Sequence, residues 1–287
     1  MTFVVNWKTP DEPVTPTRRS QTVGVYHATG PNAGQWVLDY NGNGQWDGAS
    51  VDRVARLGGL PGDVPVVGDW SLLGPAIGVY HATGPNTGQW VLDDNGNGQW
   101  DGASVDRVAQ LGGLPGDVPV VGDWSWSGTV KVGVYHATGP NAGQWVLDYN
   151  GNGQWDGPSV DRVAQLGGLP GDVPVVGDWS LLGPAIGVYH ATGPNAGQWV
   201  LDYNVNGQWD GPSVDRVAQL GGLPGDVPVV GDWSGSRTVK VGVYHATGPN
   251  AGQWVLDYNG NGQWDGPSID RVAQLGGLPG DIPVVGP

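Results

Sequence analysis

The chain has no cysteine. That excludes a disulfide framework and thiol chemistry, and it leaves the redox compartment open. Charge is also scarce: 14% of the 287 residues are charged, with 12 Lys and Arg against 27 Asp and Glu. The resulting net charge of −15 excludes a nucleic-acid partner, because no basic patch is available to neutralise phosphates. It also argues against anionic membrane surfaces, and it is compatible with binding cations. No apolar run reaches the ~18 residues of a spanning helix, so no membrane insertion is expected. The start, MTFVVNWKTPDEP, lacks the basic segment and apolar core of a signal peptide, which constrains localisation only weakly. Helix formers are few.

Glycine (53 residues) and proline (24) are abundant, a share that without a repeat would point to disorder. The 16 tryptophans and many valines supply enough burial to argue against disorder. Gly, Pro, Asn and Asp punctuate every few residues, an all-β composition. The punctuation is periodic. VGVYHATGPN or IGVYHATGPN begins at 23, 77, 132, 186 and 241, with steps of 54 and 55 residues in alternation. The alternation comes from one linker, SLLGPA before copies two and four, and SWSGTVK or SGSRTVK before copies three and five.

Each repeat predicts four short strands, here called A (64–70), B (77–82), C (88–93) and D (104–111) for the second copy. Trp90 and Leu92 alternate with Gln89, Val91 and Asp93, the period of a strand with two unlike faces. Short connections imply antiparallel neighbours. Four strands per repeat, five times over, predict an all-β five-bladed β-propeller of four-stranded antiparallel blades over residues 23–287. Three tryptophans per repeat, such as Trp70, Trp90 and Trp100, are expected to fill the space between blades, with sugar stacking as the other reading. Strand A, rich in small residues, suits the crowded centre. Residues 1–22 hold a degenerate extra strand, FVVNW, and a Pro/Thr-rich irregular segment. IPVVG near the C-terminus is expected to complete the first blade, leaving FVVNW surplus and available for self-association.

Between strands C and D lies LDYNGNGQWDG. Its oxygen-bearing side chains fall at positions 1, 3, 5 and 9, with glycine at position 6 for a sharp left-handed turn and a backbone carbonyl at position 7. These positions are Asp39, Asn41, Asn43, Gln45 and Asp47 in the first copy, and Asp93, Asn95, Asn97, Gln99 and Asp101 in the second. They are Asp148, Asn150, Asn152, Gln154 and Asp156 in the third, and Asp202, Asn204, Asn206, Gln208 and Asp210 in the fourth. In the fifth they are Asp257, Asn259, Asn261, Gln263 and Asp265. The spacing suits Ca2+, a hard cation that takes six to eight oxygens. Position 12 is Ser50 where a helix–loop–helix site would carry Glu, so that kind of site is excluded. A bare hairpin turn is the competing reading, since Asn-Gly is a strong turn signal and Asp and Asn cap their own turns.

The D-x-N-x-N-G-x-x-D loop resembles the calcium loop of integrin-α-type propellers of the FG-GAP/VCBS repeat family, and PVVGDWSGSRTVKVGVY resembles a second stretch of that family. The resemblance runs from Val23 to Gly286. It implies an extracellular or cell-surface propeller with calcium in loops on one face, serving adhesion or ligand binding without catalysis. The chain departs from the family in the A–B loop, where Asp232, Ser234 and Ser236 are followed by Lys240 at position 9. In even copies that loop is Asp69-Trp-Ser-Leu-Leu-Gly-Pro, and no metal is expected in any A–B loop. In the C–D loop, two carboxylates per site predict weak affinity, about 10⁻⁴–10⁻³ M. Val205 replaces the position 4 glycine in copy four, which is tolerable if that position is not left-handed.

The B–C and D–A loops share the opposite face. They repeat His27, Asn32 and Asp63; His81, Asn86 and Asp117; His136, Asn141 and Asp172; His190, Asn195 and Asp226; and His245, Asn250 and Asp281. One reading is a multivalent carbohydrate face. The other is structural: His27 ends strand B and bonds a neighbouring loop, and Asp63 caps a turn. Five histidines would hold a transition metal only if they converged. Arg53 is expected to reach an acidic residue of the next blade. Ser, His and Asp recur in every copy without one distinguished set, so no enzyme is predicted. Three functions follow as expectations: a calcium-stabilised adhesion or scaffold propeller, a lectin-like module, or a designed or recently amplified propeller with no selected ligand.

Overall fold

The computed structural model describes residues 21–286. They form twenty strands and no helix. The first blade holds β1 (Thr22–His27), β2 (Gln35–Leu38) and β3 (Arg53–Arg56). The second holds β4 (Asp63–Gly68), β5 (Ala76–His81), β6 (Gln89–Leu92) and β7 (Arg107–Gln110). The third holds β8 (Asp117–Gly122), β9 (Lys131–His136), β10 (Gln144–Leu147) and β11 (Arg162–Gln165). The fourth holds β12 (Asp172–Gly177), β13 (Ala185–His190), β14 (Gln198–Leu201) and β15 (Arg216–Gln219). The fifth holds β16 (Asp226–Gly231), β17 (Lys240–His245), β18 (Gln253–Leu256) and β19 (Arg271–Gln274). The last strand, β20 (Asp281–Gly286), returns to the first blade, which reads β20-β1-β2-β3.

The chain is thus an all-β, five-bladed propeller whose ring is closed by its C-terminal strand. The register of closure, Thr22↔Gly286 to His27↔Asp281, matches the Gly68↔Ala76 to Asp63↔His81 register within the second blade. Closure pairs the inner edge of β1, as β4 pairs that of β5 in the second blade. The five A strands stand side by side around the axis. FVVNW, expected as a surplus strand, lies outside the described residues.

Strands A, B and C match the sequence reading to within a residue or two. Strand D is shorter: 104–106 form a turn and pairing starts at Arg107. The core is divided into five apolar clusters, one at each blade junction. At the second junction, Trp70, Tyr80 and Trp90 of one blade pack with Val132 and Val134 of the next. Each buried C-strand tryptophan also donates its indole N–H to the leucine that follows strand D, as Trp36 does to the Leu57 carbonyl (3.0 Å). Its ring tilts against a tyrosine, Tyr26 in the first blade, at 5.0 Å and 57°. Burial and the carboxylate of Asp63 push the Tyr26 phenol up to about 12, and its oxygen accepts the Gly59 N–H.

The third tryptophan of each repeat corrects the sequence reading. Trp46, Trp100, Trp155, Trp209 and Trp264 are 43–45% exposed and do not fill the junctions. Arg53 is also corrected: it crosses to the next blade, but its Nη2 donates to the Gly96 carbonyl (2.7 Å), not to an acid.

Candidate cation loops and the opposite face

The C–D loop is organised by its position 1 carboxylate. Asp39 is buried, and its two oxygens accept the N–H groups of Gly42 (2.7 Å) and Gly44 (2.6 Å). Two successive left-handed glycines, Gly42 (φ 76°) and Gly44 (φ 82°), aim those N–H groups inward. Asn41 Oδ1 accepts the Asn43 N–H (3.0 Å) and Asn43 Oδ1 accepts the Gln45 N–H (2.8 Å). The amides of Asn41 (2.8 Å) and Asn43 then donate to Asp47 Oδ2. The Asp–Asn–Asn–Asp set predicted from spacing is therefore brought together in one loop. The same contacts recur in the other copies, as between Asn150 and Asp156 (2.8 Å) and between Asn259 and Asp265 (2.9 Å). The side chain of Gln45 is exposed; its backbone N–H helps close the loop.

The position 1 carboxylates carry an electrostatic signature. Burial pushes the carboxyls of Asp93, Asp148, Asp202 and Asp257 up, against the lowering effect of the backbone N–H groups they accept. A third carboxylate, missed by the sequence reading, braces the loop. Asp52 is buried and accepts the N–H groups of Tyr40 (3.1 Å) and Asp47 (2.7 Å). Its signal was its place just before strand D, where a charged residue sits at a buried position.

Position 4 is left-handed in the fourth copy too, at Val205 (φ 64°), contrary to the condition set for it. A β-branched residue held there costs about 1–3 kcal/mol. The Gly207 N–H still reaches Asp202 (2.7 Å), so the loop keeps its form.

The A–B loops of copies three and five share the 1-3-5-9 spacing with a cation at position 9. Lys131 is buried, and its ammonium donates to Ser125 Oγ (2.6 Å), Ser127 Oγ (2.6 Å) and Asp123 Oδ1 (3.3 Å). Lys240 donates likewise to Ser234 and to Ser236 (2.7 Å), with Asp232 3.8 Å away. Burial would raise the Asp123 carboxyl, but the N–H groups of Gly128 and Ser127 and the Lys131 ammonium outweigh it and hold the carboxyl low. An ammonium therefore stands where the oxygens of this loop converge.

On the opposite face, each histidine ends strand B and bonds the aspartate of the adjacent D–A loop within its own blade, as the structural reading expects. His27 Nδ1 lies 2.6 Å from Asp281, and His81, His136, His190 and His245 lie 2.5–2.6 Å from Asp63, Asp117, Asp172 and Asp226. The second oxygen of Asp63 caps the D–A turn by accepting the N–H groups of Gly59 and Leu60 (both 2.9 Å). Asn32, Asn86, Asn141, Asn195 and Asn250 are exposed in the B–C turns. Among the described residues, no three His, Cys, Asp or Glu side chains gather to hold a metal, so a cation in the C–D loop must draw on Asn and main-chain oxygens. No family model, no curated protein and no solved structure matches the chain.

Proposed function

We propose that the protein is a non-catalytic scaffold or adhesion propeller stabilised by calcium in its five C–D loops. One observation carries the reading: two loops of the same blade share the 1-3-5-9 spacing and differ in charge at position 9. In the A–B loop, one aspartate faces one buried lysine, and the loop is neutral as it stands. In the C–D loop, two aspartates meet two neutral asparagines, and the buried one is pushed up by its burial in four copies. A divalent cation would supply there the charge that lysine supplies next door.

The residues fit such an ion in chemistry. Asp39 and Asp47, the side-chain oxygens of Asn41 and Asn43 and the main-chain carbonyl of Gln45 are hard oxygen donors. Asn41 and Asn43 now offer N–H groups to Asp47, and turning their amides end for end would present oxygen instead. Bound calcium supplies charge neutralisation and joins the two ends of the loop. The near-identity of the five loops supports a structural or binding role, since an active site is distinguished by one asymmetric set of residues. Equilibrium dialysis tests the reading: up to five calcium ions per chain are expected, with one fewer in Asp156→Asn. No calcium held above the level of a position 1 and position 9 double Asp→Asn variant of all loops would overturn it.

A further inference from the structure

The five half-exposed tryptophans are not used by the calcium reading, and they sit at a repeated place. Strand D of each blade hydrogen-bonds the C–D loop of the next. Gln165 N–H donates to the Gly207 carbonyl (3.1 Å), and Gln110, Gln219, Gln274 and Arg56 donate in the same way to Gly153, Gly262, Gly44 and Gly98 (2.8–3.0 Å). This contact lays the loop across the neighbouring blade and stands Trp209 beside it. At the junction of the third and fourth blades the result is a cleft of about 440 Å3. Trp209 and Val163 form its apolar part, and Gln144, Gln165, Asn206 and Gln208 its polar part. Gln144 and Gln165 are direct cross-strand partners, so their side chains leave the sheet side by side.

We propose that these clefts bind neutral pyranose sugars. The chemistry selects that class. A half-exposed indole can accept the C–H face of a sugar ring, whose weakly positive hydrogens meet the negative π-face. The Gln144 and Gln208 amides carry both donors and an acceptor, which suits hydroxyls that are both; Gln165 Nε2 donates to the Ala142 carbonyl and the Asn206 amide is held by Gln208 and Asp210. No charged side chain lines the cleft, and the chain's net charge of −15 works against anionic ligands. A volume of this size accepts one or two sugar rings. Equivalent residues stand at the other junctions: Gln89, Gln110 and Trp155; Gln198, Gln219 and Trp264; Gln253, Gln274 and Trp46. The junction of the first two blades differs, with Arg56 in place of the second glutamine beside Trp100. Single shallow clefts bind weakly, and copies of one cleft repeated around a ring gain by avidity on a multivalent surface.

This site differs from the B–C and D–A face, where the histidines and aspartates bond each other. The proposal does not rest on the calcium reading, although Trp209 lies between loop positions 7 and 9. The full chain, labelled and applied to an array of immobilised neutral glycans in calcium and in EDTA, tests it. Retention on at least one neutral glycan is expected, falling roughly 100-fold or more when the five C–D loop tryptophans are changed to Ala, because avidity is lost with them. Retention only in calcium also supports the cleft and makes the cation its organiser. No retention in either buffer overturns the proposal, as does retention unchanged by the fivefold Trp→Ala substitution. Should that variant fail to fold, the natural chain gives a second readout: the retained glycan must shield the exposed indoles from acrylamide quenching. Unchanged quenching overturns the proposal.

Discussion

On the calcium reading, position 9 of a loop sets the charge of the partner that loop takes. Lys131 brings its own charge into a ring of hydroxyls and a carboxylate, and its removal leaves Asp123 with less compensation. Lys131→Met is expected to cost about 2 kcal/mol, the scale of a charged hydrogen-bond set lost from a partly buried site. Chemical denaturation measures it; a loss below about 0.5 kcal/mol would show that the ammonium is a bystander. Val205 makes the opposite case. It occupies a left-handed position that glycine fills in the other four copies. Val205→Gly is expected to raise stability by about 1 kcal/mol, since relief of strain exceeds the added freedom of the unfolded chain. A lower Tm would place more weight on the partial burial of Val205 against its cluster.

Within one blade, the C–D loop and strand D act as one element. Asp106 accepts the N–H groups of Asp94 (3.2 Å) and Asp101 (2.6 Å) and is buried. Asp106→Ala strands both donors and is expected to cost about 2 kcal/mol and to loosen the loop, seen as faster amide exchange of Asp101. The raised carboxyls set a pH dependence. A folded-state value above the unfolded one contributes stability that is complete below the unfolded value and is lost as pH rises through the folded one. Without calcium, the shares of Asp93, Asp148, Asp202 and Asp257 should therefore fall as pH rises above the ordinary 3.8 through their raised folded-state values. Asp148→Asn removes one share, and the difference between its stability curve and that of the natural chain measures it. A difference that grows toward acid pH would contradict the sign.

The strands of this element were legible because Gly, Pro and Asn bracket each one and Val, Trp and Tyr alternate between. Strand D was overread by four residues, Leu111 at its end and 104–106 at its start, where the capping aspartate and the turn serve the loop. The third tryptophan was misplaced because hydrophobicity does not tell a junction from its rim. Only the inter-blade hydrogen bonds, such as Gln165 to Gly207, reveal where Trp209 stands. The His–Asp pairs were invisible to spacing rules: His81 and Asp63 are 18 residues apart, and His27 and Asp281 are 254 apart.

In the whole molecule the ring is closed by one strand pair, β20 on β1. Removing 281–287 would open the first blade, expose the inner edge of β1 and remove Val284 from the cluster between the first two blades. The truncated chain is expected to unfold at lower temperature and with reduced cooperativity, read by calorimetry; a single transition at the original temperature would show that closure contributes little. The five loops, by contrast, act in parallel and on one face, so calcium should stabilise the ring as a unit. At ten times the dissociation constant each occupied loop adds about 1.4 kcal/mol. For five loops in a chain of this size that corresponds to a rise in Tm of roughly 10 °C or more. The most direct test is the melting temperature in EDTA against millimolar calcium. The account predicts a rise that sets in near about 10⁻⁴–10⁻³ M calcium, continues with the logarithm of its concentration, and is lost when the position 9 aspartates are changed to Asn. The same melting temperature in both buffers would contradict it.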